Sequence, residues 1–332
     1  MWYNVIAMPQ WYSEGLKRYG REGYENARKR WDDPDMAQQR DLHGKHFVVT
    51  GANSGLGFAV AEELAKRSAT VHMVCRSAER ANEARDKIVE AAKSAGVAAP
   101  DVRVHLADMG STKSVKAFAD EFKRSNDVVH ALVNNAGALF NEESRTEDGV
   151  EMSMAVAMNG SFLLTGLLLP LLKNAKKGRV VNVSSGGQYL VGLDAKDLAG
   201  RSRSGRNYSG PGAYAYAKRA QVEITKYWSK LPEGEGVIFH SMHPGWATTP
   251  GVTSSLDDFS KKHAHMMRDQ AQGADTVVWL AIADEPAQKN GLFWLDRQEV
   301  RTDMSLAFTS SGDKDRDELW KACEKICGWK LK

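Results

Sequence analysis

The sequence predicts an α/β fold: a doubly wound parallel sheet of about seven strands with helices on both faces. Two observations carry that expectation. From His46 to Leu295, short β-branched apolar runs alternate with longer Ala/Leu/Glu-rich stretches of helical spacing, the pattern that a parallel sheet with crossover helices requires. The first strand-to-helix junction is Thr50-Gly51-Ala52-Asn53-Ser54-Gly55-Leu56-Gly57. Gly51 permits the tight turn, Gly55 lets backbone approach a pyrophosphate, and Gly57 lets helix pack on strand, with the N–H groups of the new helix facing the anion. Asn53, Ser54 and Leu56 complete the cofactor-facing turn. A lone glycine pattern is also an ordinary loop, but this one lies where a Rossmann-type sheet needs it.

The remaining strands are expected near Thr70–Cys75, Val102–His105, Val129–Val133, Arg179–Val183, Val237–Met242 and Leu292–Leu295. Ligands of such sheets bind beyond the carboxyl ends of the strands, so the residues just after each strand are the candidates for chemistry. After the second strand comes Arg76, where an NAD-selective site would carry Asp or Glu, whereas a guanidinium suits a 2′-phosphate. NADP(H) is favoured over NAD(H), the alternative for Arg76 being a solvated charge. Asp108 follows the third strand and can accept from an adenine amino group or cap the next helix, a role Ser111 also fits. Asn134-Asn135-Ala136-Gly137 follows the fourth, with amides to brace neighbouring strands and small residues that leave room for a cofactor.

Ser185 ends the fifth strand, and Tyr214 and Lys218, four apart, share one face of the helix that follows. A tyrosine has a pKa of about 10 and is a poor acid or base at neutrality, but an adjacent ammonium and a nicotinamide cation both favour its phenolate. Lys218 would thus tune Tyr214, Tyr214 would exchange a proton with the substrate oxygen, and Ser185 would hold that oxygen. Taken alone, a Tyr/Lys pair at this spacing is an ordinary helical pair.

Together these motifs resemble the short-chain dehydrogenase/reductase family: Thr50-Gly51-x-x-x-Gly55-x-Gly57, Asn134-Asn135-Ala136-Gly137, Ser185, Tyr214-x-x-x-Lys218 and Pro244-Gly245 occur in the family's order, spanning residues 44 to about 300. Cys75-Arg76, Thr146-Glu-Asp-Gly149 and Gly160-x-Phe-Leu-Leu-Thr165 are similar to its retinol-dehydrogenase-like branch. The resemblance implies that Asn135 and Gly137 line the cofactor and that Thr249, after Pro244 and Gly245, lies near the nicotinamide carboxamide. Homo-oligomerisation is implied by the resemblance alone. One departure stands out. The family has Asn three residues before Gly160, where it helps hold a water in the proton relay to the lysine, partly through its main-chain carbonyl; here that position is Ala157. Asn159 cannot stand in, because two residues along a helix turn the side chain by about 200°.

Composition sets the outer limits. The chain has 332 residues and a net charge of only +3, with Lys and Arg scattered among nearly as many acids, no argument for nucleic acid. Cys75, Cys323 and Cys327 form neither a disulfide framework nor a zinc pattern, so no metal site is expected and a reducing compartment fits. No apolar run is read as approaching the roughly 18 residues of a membrane span, and no secretory signal is seen; the expected location is intracellular, cytoplasmic or peripheral on a membrane. Three parts are expected: an aromatic and basic extension over residues 1–40, the NAD(P)-binding domain over 41–310, and a helical tail over 311–332. In the extension, Tyr12, Leu16, Tyr19, Gly23, Ala27 and Trp31 fall on one stripe, predicting an amphipathic helix after Pro9 that either docks on its own protein or lies at a membrane surface.

A lipophilic substrate pocket is expected from Leu139, Phe140, Trp246, Met266 and Met267, with Trp246 to Met267 as its lid and Tyr189, Leu190, Val191 and Leu193 of the long segment between Ser185 and Tyr214 as a further wall. His263 and His265 read as surface residues. The expected function is NADP(H)-dependent interconversion of a carbonyl and an alcohol on a lipophilic small molecule; the alternative, supported by Ala157, is a cofactor-binding structural or regulatory protein.

Overall fold

The computed structural model describes residues 6–39, 41–249, 251, 257–305 and 307–331. Trp2 and Tyr3 of the aromatic extension, and Pro250 and residues 252–256 of the expected lid, lie outside the described residues. Helices α1 (Ala7–Arg18) and α2 (Arg21–Arg28) lead into β1 (His46–Thr50), α3 (Gly55–Ala65), β2 (Thr70–Cys75), α4 (Ala78–Ser94), β3 (Asp101–Leu106), α5 (Thr112–Ser125) and β4 (Ala131–Asn134). There follow α6 (Met152–Met158), α7 (Thr165–Asn174), β5 (Gly178–Val183), α8 (Gly210–Trp228), β6 (Val237–Met242), α9 (Asp257–His263), α10 (Gln270–Ile282), β7 (Leu292–Leu295), β8 (Gln298–Glu299) and α11 (Asp313–Cys327).

The strands order as β3-β2-β1-β4-β5-β6-β7-β8, parallel except for the final pair. Strand order reverses between β1 and β4, which opens a crevice at their carboxyl ends. Alternate residues along each strand feed two cores. Val49, Val71, Met73 and Val181 pack under α3, α4 and α10, while Val48, Leu132, Val180 and Phe239 pack under α5, α7, α8 and α11. The eighth strand was not expected. It forms because Asp296 and Arg297 both take left-handed backbone, φ 51° and 56°, the geometry of a two-residue hairpin turn that asparagine and glycine normally signal.

Two expectations need correction. A helical stretch from Met152 to Asn174 is long and apolar enough to cross a membrane, but 89% of its apolar 18-residue window is buried inside the protein: it is a core helix. The N-terminal stripe is also not one helix. The first helix starts two residues ahead of Pro9, a position proline tolerates in the first turn, and the chain breaks at Tyr19-Gly20. The break exists because the domain takes the carbonyls there: Trp246 N–H donates to Tyr19 O at 2.7 Å, and Arg268 donates to Arg18 O at 2.7 Å and Gly20 O at 3.1 Å. Leu16, placed on the apolar stripe, is 46% exposed.

Candidate active site

At the crevice, the glycine turn and the strand ends enclose a cleft of about 470 Å³. Gly51 has φ +65°, and a Cβ there would sit 3.1 Å from Ala136 Cα, so both conformation and space demand glycine. Cys75, buried at the end of β2, accepts from the N–H groups of Ala52 and Asn53, and Asn135 Nδ2 donates to the carbonyls of Thr50 at 2.9 Å and Gly51 at 3.3 Å. The turn is therefore braced from both neighbouring strands. Ser54 precedes α3 without a side-chain cap, which leaves the first N–H groups of that helix aimed into the cleft. Gly57 does not line the cleft; it lies behind it, where a Cβ would meet Asn135 Nδ2 and Gly51 O at 2.4 Å, the close helix-to-strand packing expected of it.

Every other residue named for the cofactor lines the cleft: Gly51, Asn53, Ser54, Gly55, Leu56, Arg76, Asp108, Asn135, Ala136, Gly137, Pro244, Gly245 and Thr249. The fit to a dinucleotide is direct, with a pinched glycine turn and an open helix N-terminus at the centre and an exposed guanidinium, Arg76, at one end. Asp108 also braces its own turn, accepting from Gly110 N at 2.9 Å, while Ser111 caps α5. Arg80 lines the same end as Arg76. It went unremarked in the sequence, although four residues after Arg76 and just inside a helix start is where a second cation would face the same ligand.

At the other end stand Ser185, Tyr214 and Lys218, all lining the cleft. Ser185 follows β5 and lies close enough to Tyr214 to lower its phenol; Ser185 Oγ accepts from Gly187 N at 3.2 Å. Burial pushes the Tyr214 phenol up to about 12, with the serine contact pulling it partly back. Burial lowers the Lys218 ammonium to about 7. Its Nζ lies 5.3 Å from the centre of the Tyr214 ring and donates to Val183 O at 2.7 Å and Gln221 Oε1 at 2.8 Å. Without a nicotinamide cation beside it, burial holds the phenol toward its protonated form; the expectation that Lys218 and that cation together favour the phenolate concerns the site with cofactor bound.

Ala157 is buried in α6, with its carbonyl accepting from Ser161 Oγ at 2.6 Å. Asn159 points elsewhere, donating to Met109 O at 2.9 Å, as the helical turn requires. The pocket walls differ from expectation. Leu139 and Phe140 line the cleft, joined by Met109, Met152 and Val156; Trp246, Met266 and Met267 do not. Trp246 packs on Trp11, Tyr12 and Tyr19 of the N-terminal helix, and Met266 on Gly20. Tyr189, Leu190 and Val191 are buried in this same aromatic cluster, so the apolar residues read as a substrate wall serve to seat the N-terminal segment. His263 is not a surface residue either: it is buried, with its Nε2 3.0 Å from Tyr12 Oη.

Comparison with known proteins matches this geometry. Residues 45–193 fit the family model described as short chain dehydrogenase. Dehydrogenase/reductase SDR family member 12 of Homo sapiens is 37% identical over 318 residues, covering 95% of this chain and 96% of the relative. The chain belongs to the short-chain dehydrogenase/reductase family. Retinol dehydrogenase 12 of Homo sapiens is 34% identical, covering 86% of this chain and 87% of that one. Among solved structures, an uncharacterised protein from Mycobacterium Paratuberculosis superposes with a TM-score of 0.70 at 27% identity, covering 91% of this chain and 99% of its own. The chain is accordingly an NAD(P)-dependent oxidoreductase of the Rossmann type.

Proposed function

We propose that this oxidoreductase uses NADP(H) to interconvert a carbonyl and an alcohol on a lipophilic small molecule. The observation that carries the reading is the convergence of Ser185, Tyr214 and Lys218 on one end of a cleft whose other end presents Arg76. When bound, the nicotinamide cofactor supplies or accepts the hydride. The chain's own residues do the rest. Ser185 Oγ and Tyr214 Oη line the same end of the cleft and converge on the substrate oxygen, and Tyr214 exchanges a proton with it. A phenol held protonated by burial is suited to donate in the carbonyl-reducing direction. The cationic form of Lys218 stabilises the phenolate that remains. Leu139, Phe140, Met152 and Val156 supply an apolar wall that suits a lipophilic substrate.

The test is turnover of a panel of lipophilic aldehydes and ketones with NADPH. Tyr214→Phe keeps the ring and removes the proton; it should bind NADPH as the parent does and lose turnover by at least about 100-fold, the scale of general acid catalysis. Turnover unchanged in that variant would overturn the assignment.

A second reading rests on Ala157: a cofactor-binding protein with weakened chemistry. It gains ground if NADPH binds, nothing in the panel turns over, and Ala157→Asn restores nothing. Residues 6–39 serve in our reading as a docked structural segment. Vesicle co-sedimentation with and without them tests the peripheral membrane alternative, and sedimentation velocity tests homo-oligomerisation.

A further inference from the structure

Lys218 is 3% exposed, and its ammonium has to find acceptors inside the protein. A Cβ on Gly137 would lie 3.0 Å from Nζ, so the nitrogen sits directly beneath the cofactor-facing Asn-Asn-Ala-Gly turn. Two protein oxygens accept from it, the Val183 carbonyl and Gln221 Oε1, at 2.7 and 2.8 Å. The first is main chain and cannot vary with sequence. The second is a side chain one helical turn further along α8, itself only 1% exposed.

Among the described residues, surrounding elements offer no other compensation. The strand end of β5 gives Ser184, whose Oγ donates to Lys218 O at 2.9 Å, and the hydroxyl of Ser185. The turn after β4 gives Gly137. The titratable group facing Nζ from α8 is the Tyr214 ring, and among the described residues no charged side chain contributes to the titration of Lys218.

Gln221 is also anchored. Its main-chain carbonyl accepts from Thr225 Oγ1 at 2.6 Å, Thr225 Oγ1 accepts from Asn182 Nδ2 at 2.8 Å, and Asn182 Oδ1 accepts from Asn134 Nδ2 at 2.8 Å. The turn of α8 that carries Gln221 is thereby tied across β5 to β4, the strand that leads into the cofactor-facing turn. Because an ammonium has only donors, the amide must present its oxygen to Nζ, and its Nε2, buried, is left without a protein partner. A buried amide kept in this half-satisfied pose is costly, which points to a role for the contact beyond packing.

We propose that Gln221 is a positioning residue for the reaction: it holds the Lys218 ammonium charged and in place beneath the cofactor turn. This rests on the oxidoreductase reading for its consequence in turnover, but the contact itself is tested without turnover. The experiment follows the titration of Lys218 by NMR of ¹³Cε-lysine-labelled full-length protein, assigned with Lys218→Met, alongside the pH profile of NADPH-dependent turnover. Gln221→Leu removes the acceptor and should lower the pH at which Lys218 titrates by about one unit or more, the size one hydrogen bond to a charged group gives. The alkaline limb of the rate profile should fall by the same amount. Gln221→Asn, polar but too short, should follow the leucine variant, and Gln221→Glu should move both readouts the other way. If Gln221→Leu does not fold, the asparagine and glutamate variants decide. Lys218 titrating at one pH in all variants overturns the proposal. Failure of every substrate with a normal shift in Lys218 would overturn the proposed carbonyl–alcohol reaction and leave the contact standing.

Discussion

At the residue scale, the two ends of the cleft differ in what they ask of side chains. Arg76 is exposed at the rim of the cleft, so under the NADP(H) reading its contribution is one of discrimination. Arg76→Ala should weaken NADPH binding by roughly 10- to 100-fold, the worth of a charge-assisted hydrogen bond, and leave NADH binding nearly unchanged; parallel fluorescence titrations with the two nucleotides check it. Arg80 at the same end will soften the loss. Tyr214 and Lys218 were legible from their spacing, because a helix fixes which residues share a face. Gln221 was not, because whether a residue three positions past the lysine turns back to its ammonium or away into the core depends on what packs around the helix.

At the element scale, the sheet carries a ladder of histidines that the mechanism does not use. His46 Nδ1 lies 3.2 Å from His72 Nε2, His72 Nδ1 lies 3.0 Å from His105 Nε2, and His130 Nδ1 accepts from His46 N at 3.0 Å. His72, fully buried against Phe122 under α5, is pushed down to about 3, chiefly by desolvation. A histidine whose folded pKa lies below its unfolded value binds its proton more readily when unfolded. Stability is therefore full above about 6.5 and falls as pH drops toward 3. In this window His72 alone gives a slope of about 1.4 kcal/mol per pH unit. His72→Phe should flatten the pH dependence of unfolding by that amount, as urea midpoints at a series of pH values would show. The buried strand β2 was readable to the residue because such a parallel strand is a nearly continuous apolar run, whereas the edge strand β3, with Asp101 and Arg103, was read one residue short at each end. The hairpin of β7 and β8 was not readable, since Asp296 and Arg297 bear no turn signature. Arg297 is held in its left-handed conformation by Asp275, at 2.8 and 2.7 Å, and by its contacts to the carbonyls of Asp33 and Pro34.

For the whole molecule, three buried arginines fasten the N-terminal segment to the domain. Arg67 donates to the carbonyls of Asp35, Met36 and Gln39, Arg297 to those of Asp33 and Pro34, and Arg268 to those of Arg18 and Gly20. Arg268 is the most constrained. It pairs with Asp296 at 2.6 and 2.8 Å, the two side chains being 1% and 6% exposed, and a Cβ on Gly245 would strike its guanidinium. The Pro-Gly turn beside the cleft, the β7–β8 hairpin and the N-terminal helices thus share one post. Arg268→Ala leaves Asp296 buried and unpaired, and should cost about 3–5 kcal/mol, measured as the urea midpoint of the full chain. The same variant should weaken cofactor binding, because the Pro244-Gly245 turn loses its support. A variant as stable as the parent would refute the shared-post account.

The sequence by itself determined seven strands of the sheet, the glycine turn and the shared helix face of Tyr214 and Lys218, because strand burial, helical spacing and the φ > 0 demand of a tight turn are local constraints written in adjacent residues. The partners of the surfaces were decided only by the tertiary structure. An apolar stripe says that a face must be covered, not by what, and so Trp246, Tyr189 and Met266 read equally well as a substrate wall and as the seat of a helix from the other end of the chain. The buried arginines followed the same rule: their charge marks them as surface residues until the fold brings carbonyls and carboxylates from distant segments to within about 3 Å of them.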